Sequence, residues 1–329
     1  MQSFKAFRVH DEQGGIRAGL ETIRLEDLSE GEIIIEAAYS GINYKDALAV
    51  TGKGKILRRF PLVAGIDVSG TVVSSTVGEF REGDEVLVAG AGLGEKYDGG
   101  FAEYTRVKSE CVVPLPPGLT LLEAMILGTP GLTAALALHR LEENHQRPAL
   151  GPIAITGASG GVGNLAVDLF SSRGYDVTAI TGKTTQEARL KKLGARQIMQ
   201  HSEIPMGTRP LESALWGGAV DCIGGETLSW LTRTVREWGN IASIGQAGGY
   251  ELNTTVMPLI LRGVSMLGIS STNCPPELCR EIWQRLGSDL KPKNLECIHS
   301  ETVALEDLLS VSEAMIARKT EGRTVVKIK

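Results

Sequence analysis

The sequence predicts an α/β protein with two domains, a partly open β-barrel and a doubly wound parallel sheet. Its 329 residues fit two domains of ordinary size, and its apolar share of 42% is enough for a substantial core. Short β-rich runs separated by turns fill the chain up to about residue 120, which is typical of a small open barrel. Farther along, strands and helices alternate, which is typical of a parallel sheet with helices on both faces.

The barrel prediction depends on β-rich runs bounded by turn residues. Strands are predicted at residues 33–38, 68–73 and 85–88, and the turn pair Gly83–Asp84 precedes the third of them. The stretch at 114–118 contains three prolines and a glycine, and it ends this pattern.

The pattern changes after residue 120. Residues 121–141 are rich in Leu and Ala and predict two helices, with a turn between them at 128–131. A strand–helix alternation follows. Its strands are predicted at 153–156, 175–181, 219–223, 240–244 and 265–269, and its helices at 164–173, 187–193 and 227–236.

The end of the chain predicts an amphipathic helix at 305–318 and a strand at 324–328. A terminal strand needs a sheet to join. From the residues alone, this strand could extend the second sheet or return to the first domain.

Composition and charge argue against several classes of protein. The formal net charge is −5, whereas a general nucleic-acid binder carries a basic face. We expect no membrane span, because no apolar run approaches the required length of about 18 residues, and no signal-peptide core follows the N-terminus. The five cysteines are odd in number and widely spaced, which fits a reducing compartment, so we predict a cytoplasmic protein.

A glycine-rich turn is the strongest local motif. Ala158, Gly160 and Gly163 occupy the three fixed positions of the dinucleotide pattern G-x-G-x-x-G, so alanine replaces the first glycine. Gly160 would let the backbone approach a pyrophosphate, and Gly163 would let the following helix pack against the strand. Because a strand precedes the turn and a helix follows it, we predict a dinucleotide site; a turn without a ligand is the alternative. The predicted phosphate-binding residues are Ser159, Gly160, Gly161 and Val162.

The end of the next strand favours NADPH over NADH. An NAD site usually has Asp or Glu there, which binds the ribose hydroxyls, but this chain has Thr181, Gly182 and Lys183. A hydroxyl and an ammonium group would attract the 2′-phosphate of NADPH. Arg196, at the start of the following strand, is predicted as a second positive group. The alternative is that Lys183 and Arg196 are solvated surface residues.

Several further segments resemble those of one known superfamily. They are residues 41–46, 64–70, 83–86, 99–104 and 254–262. Together with the glycine turn they resemble the medium-chain dehydrogenases/reductases, in the zinc-free quinone oxidoreductase branch and closest to the acrylyl-CoA reductase group.

The resemblance covers almost the whole chain and implies the arrangement of the domains. It implies a GroES-like barrel formed by residues 1–122 and 300–329, to which the tail returns, and a Rossmann domain at 123–299. It also implies a homodimer. Four more residues join the predicted cofactor-binding set: Thr133, Gln246, Ile260 and Ser271.

The residues support the zinc-free branch. Where zinc alcohol dehydrogenases have a Cys ligand this chain has Asn43, and where they have Gly-His-Glu it has Gly65–Ile66–Asp67. Asn and Ile are not usual zinc ligands. The four-cysteine zinc lobe of those enzymes would fall at residues 84–100, which contain no cysteine. We therefore predict no metal and catalysis without a metal Lewis acid.

A nicotinamide cofactor without a metal can still deliver hydride to an activated C=C bond. Negative charge then develops on the carbonyl oxygen of an enone or enoyl thioester, where a preset donor stabilises it. The resemblance places Tyr44 beside the nicotinamide, so Tyr44 is predicted as a catalytic donor and a cofactor contact; its alternative role is only to pack on the ring. Asn43 is the second catalytic candidate, although Asn43 and Asp46 suit the role of fixing the loop's shape better.

A basic cluster at residues 53–59 follows Tyr44 in the sequence. Its Arg58 and Arg59 are predicted to hold the phosphates of a CoA thioester, with a solvated loop as the alternative. Arg323 is a second predicted anion contact.

The predicted function is the reduction of a short enoyl-CoA by NADPH, with acryloyl-CoA as the expected substrate and propanoyl-CoA as the product. The alternatives are an NADPH:quinone oxidoreductase, which would share the cofactor chemistry, and a non-catalytic NADPH-binding protein. No nucleic-acid or membrane partner is expected.

Overall fold

The computed structural model describes residues 3–329, and its backbone contacts group the chain into two compact units. The first unit contains Met1–Leu132, Ser271–Asp289 and His299–Lys329, and the second contains Thr133–Ser270 and Leu290–Ile298. Residues 271–289, which the predicted ranges assign to the second domain, make their contacts within the first unit. The predicted domain ranges themselves stay a prediction.

Strands and helices cover most of the chain. The strands are β1 (Phe4–Glu12), β2 (Gly15–Ile23), β3 (Ile33–Gly41), β4 (Leu62–Val63), β5 (Asp67–Ser75), β6 (Glu85–Ala89), β7 (Tyr104–Val107), β8 (Val113–Pro114), β9 (Ile153–Thr156), β10 (Val177–Thr181), β11 (Gln197–Gln200), β12 (Trp216–Asp221), β13 (Val235–Ser243), β14 (Ser265–Gly268), β15 (His299–Val303) and β16 (Arg323–Lys327). The helices are α1 (Tyr44–Val50), α2 (Leu121–Glu143), α3 (Gly161–Ser172), α4 (Glu187–Lys192), α5 (Gly225–Thr234), α6 (Met257–Arg262), α7 (Pro276–Leu286), α8 (Leu295–Ile298) and α9 (Leu308–Ile316).

The first unit is built on two mostly antiparallel sheets. The smaller sheet has the order β2-β1-β4, and the larger has the order β15-β16-β3-β5-β6-β8, with β7 also paired to β3. Along β3, Ile33, Ile35 and Ala37 are fully buried while the residues between them are partly exposed, which is the alternation of a strand with one face on a core. The terminal strand β16 pairs with β3, so the tail returns to the first unit.

The second unit contains a six-stranded parallel sheet in the order β11-β10-β9-β12-β13-β14. Counted from its first strand, this is the order 3-2-1-4-5-6 of the Rossmann fold, as predicted. The order reverses between β9 and β12. Loops that leave the carboxyl ends of these two strands therefore diverge, and ligands bind in such crevices.

Helix α2 contains the kink that the sequence predicts. Gly128 has φ 49° and ψ −155°, which separates a helical segment before it from another after it. In length and composition α2 could cross a membrane, contrary to the expectation that no apolar stretch is long enough. However, 78% of its most apolar 18-residue stretch is buried inside the protein. A buried core helix accounts for this hydropathy.

Candidate functional site: a glycine turn and a buried polar cluster

A tight turn joins β9 to α3 in the second unit. Gly157 has φ +59°, a conformation that glycine adopts without strain. The Gly160 N–H donates to the Gly157 carbonyl at 2.9 Å, and Gly160 is the N-cap of α3. Glycine has no side chain that could accept hydrogen bonds from the N–H groups in the first turn of α3. These N–H groups therefore suit an anionic ligand.

The glycine at position 163 is required by a close approach of backbones. A Cβ there would lie 2.2 Å from the Gly157 carbonyl oxygen and 2.6 Å from the Ala158 Cα. A Cβ at Gly160 would be crowded only by the Gly157 carbonyl oxygen, at 3.2 Å. Gly163 therefore lets α3 pack against the turn, while Gly160 keeps the outer side of the turn open.

The end of β10 is tied to this turn by hydroxyl groups. The Oγ1 of buried Thr181 lies 2.9 Å from the Oγ of Ser159 and accepts the Lys183 N–H at 3.1 Å. Gly182 is exposed and Lys183 is half-buried. The structure thus brings Ser159, predicted for the phosphates, next to Thr181 and the backbone of Lys183, two of the residues predicted for the 2′-phosphate.

Arg196 is a correction to the predicted set. In the parallel register, Thr178 of β10 pairs with Gln197 and Thr181 pairs with Gln200. Arg196 precedes Gln197, so it lies at the amino ends of these strands, whereas the glycine turn follows their carboxyl ends. Its guanidinium instead pairs with Asp176 at 3.0 Å and is 74% exposed.

The other predicted cofactor residues are scattered over both units. Gln246 is exposed and follows β13, so it lies at the carboxyl edge of the sheet. Thr133 is buried in α2, and Ile260 in α6 is 72% exposed. Ser271 belongs to the first unit. Their roles in cofactor binding stay predictions.

A buried carboxylate lies at the carboxyl ends of β9 and β12, and it was not predicted from the sequence. Asp221, at the end of β12, accepts the Thr156 hydroxyl at 2.6 Å and the Gly224 N–H at 2.8 Å. Burial raises the pKa of Asp221, although these hydrogen bonds oppose the rise. The hydrogen bond between Thr156 and Asp221 joins the carboxyl ends of the neighbouring strands β9 and β12, beside the glycine turn.

The first unit contains a second constellation, which we call the buried polar cluster. Its members are Asn43, Asp46, Asp67, Thr129 and Arg323. The Nδ2 of Asn43 donates to one carboxylate oxygen of Asp46 at 3.0 Å and to one of Asp67 at 2.8 Å. The amide therefore bridges two acidic side chains that would otherwise repel each other.

Asp46 fixes the start of α1. One of its oxygens accepts the Asn43 N–H at 2.9 Å, and the other accepts the Ile66 N–H at 2.9 Å. Burial, followed by the nearby charge of Asp67, raises the pKa of Asp46 to about 7, against the opposing effect of the hydrogen bonds. Tyr44, the first residue of α1, is held by this arrangement and is 52% exposed.

Arg323 lies inside the cluster and is 2% exposed, which corrects its prediction as a substrate contact. Its guanidinium donates to the carbonyls of Ile42, Met125 and Ile126 and to the Oδ1 of Asn43. One Nη lies 3.9 Å from the Asp67 carboxylate. Burial lowers the pKa of Arg323, and the charges of Asp67 and Asp46 oppose that effect. A guanidinium used in this way balances buried charge rather than binding a ligand.

The kink of α2 completes the cluster. Thr129 donates from its N–H and its hydroxyl to the two oxygens of Asp67, at 3.0 and 2.5 Å. A Cβ at Gly128 would lie 2.5 Å from an Asp67 oxygen and 2.9 Å from a nitrogen of Arg323. The glycine that breaks the helix is therefore also the residue that makes room for the buried charges.

The geometry favours a shape-fixing role for Asn43 over the predicted catalytic one. Its Nδ2 donates to two carboxylates, and its Oδ1 accepts from Arg323 at 2.9 Å. A side chain bonded in this way at both ends positions its neighbours. Among the two catalytic candidates, Tyr44 is the one with exposed surface.

The two arginines of the basic cluster have different surroundings. Arg59 pairs with the buried carboxylate of Asp98 at 2.9 Å and donates to Ser29, so part of its guanidinium is used within the fold. Arg58 is exposed, and its N–H donates to the Glu95 carbonyl. Arg58 is therefore the better of the two candidates for an anionic substrate.

Known proteins resemble this chain over its whole length. A family model described as alcohol dehydrogenase GroES-like domain matches residues 29–117, and one described as zinc-binding dehydrogenase matches residues 161–288. The putative quinone oxidoreductase YhfP of Bacillus subtilis is 43% identical over 326 residues, which are 99% of each chain. The probable acrylyl-CoA reductase AcuI of Escherichia coli is 42% identical over 98% of this chain and 99% of its own.

Two solved structures are also similar to this chain over nearly its whole length. The YhdH oxidoreductase of Salmonella enterica, in complex with NADP, has a TM-score of 0.95 at 42% identity over 99% of this chain and 100% of its own. YhfP of Bacillus subtilis, with NAD bound, has a TM-score of 0.96 at 42% identity over 100% of both chains.

The chain belongs to the medium-chain dehydrogenase/reductase superfamily. It is an oxidoreductase, and the predicted GroES-like and Rossmann folds are confirmed.

The residues of this superfamily member do not fit the catalytic zinc for which the second family model is named. Asn43 directs its Nδ2 hydrogens at two carboxylates, and Ile66 has no donor atom in its side chain. Asp46 and Asp67 already accept several hydrogen bonds each. Within residues 3–329, no group of three His, Cys, Asp or Glu side chains is placed to hold a metal ion.

The sequence contains one signal for the buried polar cluster, which is the acid at position 67. Asp67 begins a strand whose first residues are otherwise apolar or small and are buried. An acid at such a position must be paired or hydrogen-bonded. Its partners come from positions 43, 129 and 323, so the sequence could predict that a partner exists but not which residue it is.

Proposed function

We propose that the protein reduces the C=C bond of a short enoyl-CoA thioester with NADPH, with acryloyl-CoA as the preferred substrate. The observation that carries this proposal is the 42% identity to a probable acrylyl-CoA reductase over nearly the full length of both chains. The proposed enzyme is a cytoplasmic homodimer.

NADPH is the proposed cofactor because the residues of the second unit suit it. The glycine turn offers backbone amides and an open outer side for a pyrophosphate. The end of β10 offers Thr181, Gly182 and Lys183 where a carboxylate would select NADH. A structural relative in complex with NADP supports this choice, whereas another relative has NAD bound.

Bound NADPH would supply a hydride to the β-carbon of the enoyl thioester, and a proton delivered to the α-carbon would complete the reduction. The role we propose for Tyr44 is to donate its hydroxyl hydrogen bond to the carbonyl oxygen as negative charge develops there. A donor of this kind is worth about 10²–10³ in rate. Asp46 and Asn43 would hold the first turn of α1, and with it Tyr44, in a fixed position.

Arg58 is the proposed contact for the phosphates of CoA. It is exposed, and it lies in a stretch that also contains Lys53, Lys55 and Arg59. Arg59 is a poorer probe, because removing it would leave the buried carboxylate of Asp98 without its ion pair.

A quinone reductase is the second candidate, because the chain is 43% identical to a putative quinone oxidoreductase. A panel of acryloyl-CoA, crotonyl-CoA, small enones and quinones, each followed by NADPH oxidation, tests the proposal. We expect the highest kcat/KM for acryloyl-CoA. A higher value for a quinone would replace the proposal by the second candidate, and no oxidation with any substrate would indicate a protein that only binds NADPH.

Two variants, assayed with the same substrates, distinguish an effect on the chemical step from an effect on substrate binding. Tyr44→Phe should lower kcat and kcat/KM together for every enoyl substrate, because its contact strengthens only in the transition state. Arg58→Ala should raise KM for acryloyl-CoA and leave a small enone without phosphates almost unaffected. An equal loss on both substrates in Arg58→Ala would exclude the phosphate contact.

A further inference from the structure

Lys45, the second residue of α1, binds two other segments of the first unit. Its ammonium donates to a carboxylate oxygen of Glu95 at 2.8 Å and to the Thr272 hydroxyl at 3.4 Å. The Glu95 side chain is 12% exposed and that of Lys45 is 34% exposed, so this ion pair is partly shielded from water. We call these three residues the Lys45 junction. It joins the start of α1 to the loop of residues 90–97 and to the segment at 271–272.

The charge of Lys45 does not suit the helix that carries it. The amino end of a helix has partial positive charge, which repels a cation in the first turn. The Glu95 carboxylate offsets this repulsion, because it pairs with the ammonium directly. A tertiary contact therefore accounts for a lysine at this position, whereas helix formation alone does not.

The loop of residues 90–97 holds Glu95 in a fixed position. The Gly92 carbonyl accepts the N–H groups of residues 95, 96 and 97 at 3.2, 2.8 and 3.2 Å, which closes the loop on itself. The Glu95 carbonyl accepts the Arg58 N–H at 2.8 Å. Glu95 thus contacts the neighbour of Tyr44 through its carboxylate and the proposed CoA contact through its backbone.

Backbone contacts also join the segments of the junction. A Cβ at Gly90 would lie 3.4 Å from the Thr272 Cα, so the loop packs closely against the segment at 271–272. The Gly90 N–H donates to the Ile66 carbonyl at 2.8 Å, and the Ile66 N–H donates to Asp46 in α1 at 2.9 Å. The three segments therefore form a closed set of contacts around the first turn of α1.

We propose that Lys45 is a positioning residue, which holds Tyr44 in place for the reduction of the C=C bond. Tyr44 is 52% exposed, so its position depends largely on the residues beside it in the chain. Asp46 holds the first turn of α1 on the buried side, and the Lys45 junction holds it on the more exposed side. This inference rests on the catalytic role proposed for Tyr44.

A double-variant cycle tests the inference, with NADPH oxidation as the measurement. A misplaced catalytic group loses much of its effect, so we expect Lys45→Met to lower kcat about tenfold, equally for acryloyl-CoA and a small enone. In the Tyr44→Phe background, which lacks the hydroxyl to be positioned, Lys45→Met should lower kcat less than about twofold. A general loss of structure would instead lower kcat equally in both backgrounds, and that result would overturn the proposal.

Two more variants test the contact from each side. Lys45→Arg retains a cation with several donors and should keep most of kcat. Glu95→Gln removes the charge pairing but retains the backbone contact with Arg58, so it should lower kcat in the same direction as Lys45→Met without raising KM. A rise in KM for acryloyl-CoA alone in Lys45→Met would indicate a direct contact of Lys45 with the CoA phosphates and would overturn the positioning role. Lys5→Met breaks an exposed ion pair with Glu306 in the same unit and is the matched control, with no expected change in kcat.

The cycle separates a failure of the inference from a failure of the proposed function. If Tyr44→Phe lowers kcat and Lys45→Met does not, only the positioning role fails. If Tyr44→Phe leaves kcat unchanged, the proposed role of Tyr44 fails first. The cycle is measured with the substrate that is reduced fastest, so a quinone in place of acryloyl-CoA does not affect it.

Hydrogen exchange tests the junction without turnover. The backbone amides of α1 should exchange faster in Lys45→Met than in the unmodified protein, because one side of the first turn is released. Lys45→Arg should restore the slower exchange, and Lys5→Met should not alter it. Equal exchange in Lys45→Met and the unmodified protein would show that the junction does not hold α1, and the proposal would fail.

Discussion

The buried polar cluster of the first unit and the glycine turn of the second position functional groups by opposite means. The cluster uses polar and charged side chains that lie as far apart in the chain as Asn43 and Arg323. The turn uses backbone within the few residues from Gly157 to Gly163, where side chains are missing rather than present. The cluster should therefore be destabilised when a polar or charged side chain is removed, and the turn should be destabilised when a side chain is added.

The largest expected effect is the loss of a charge from the cluster. Arg323→Met would leave Asp67 and Asp46 buried without their counter-charge and would remove one donor from each of three backbone carbonyls. Breaking a buried ion pair costs about 3–5 kcal/mol, so we expect a loss of that size in the free energy of unfolding, measured by urea denaturation.

A double variant provides the control for this measurement. Asp67→Asn combined with Arg323→Met removes one of the uncompensated charges. The double variant should therefore be more stable than Arg323→Met alone, and its unfolding can be measured if the single variant does not fold. A cost below about 1 kcal/mol for Arg323→Met would show that the cluster does not depend on its arginine.

The second effect is the gain of a methyl group in the turn. The Cβ of Gly163→Ala would lie 2.2 Å from the Gly157 carbonyl oxygen, so α3 must move away from the turn. We expect a loss of about 1–3 kcal/mol in stability and weaker binding of NADPH in a fluorescence titration. Gly268→Ala, in the same unit, would place its Cβ in open space and is the matched control. Equal stability of the two variants would contradict the close approach.

The difference between the two regions also explains how much the sequence could predict. The turn is contiguous, and its strand, glycines and helix follow one another in the order of the chain, so its geometry agrees with the prediction. The cluster depends on tertiary contacts, and the pattern around Arg323 does not show that this residue is buried. The hairpin of β1 and β2 was missed for a related reason, because β2 has few buried residues and its charged residues mask the alternation.

The third effect concerns cofactor preference at the end of β10. Lys183→Ala removes the ammonium group proposed for the 2′-phosphate of NADPH. One charge-assisted contact is worth about 1.5–3 kcal/mol, so the affinity for NADPH should fall about tenfold to a hundredfold while that for NADH changes little. Isothermal titration calorimetry with both cofactors gives the ratio. Equal weakening of the two would mean that Lys183 does not contact the 2′-phosphate.

The fourth effect is a pH dependence of stability that originates in Asp46. Its pKa is raised from 3.8 to about 7 in the folded protein, so between these values the folded state binds more protons than the unfolded state. The contribution of the Asp46 carboxyl group to the free energy of unfolding is fully present below about pH 4 and is lost as the pH rises to about 7. The slope of this loss is at most about 1.4 kcal/mol per pH unit. Asp46→Asn should remove this slope from urea-denaturation series at several pH values. The exposed Asp11→Asn should retain it, and a slope that survives in Asp46→Asn would assign the titration to another group.

The smallest expected effect concerns Arg196, which lies at the amino edge of the same sheet. Arg196 was predicted to assist Lys183, yet it precedes β11 in a parallel sheet and therefore lies at the amino ends of the strands. The direction of the strand alone would have excluded it, because in a parallel sheet only residues that follow a strand reach the carboxyl edge. Its ion pair with Asp176 is exposed, and such pairs contribute about 0–1 kcal/mol. Arg196→Met should therefore cost less than about 1 kcal/mol in stability and leave the ratio of NADPH to NADH affinities unchanged, in contrast to Lys183→Ala. A loss of NADPH preference in Arg196→Met would contradict the placement of Arg196 at the edge of the sheet away from the glycine turn.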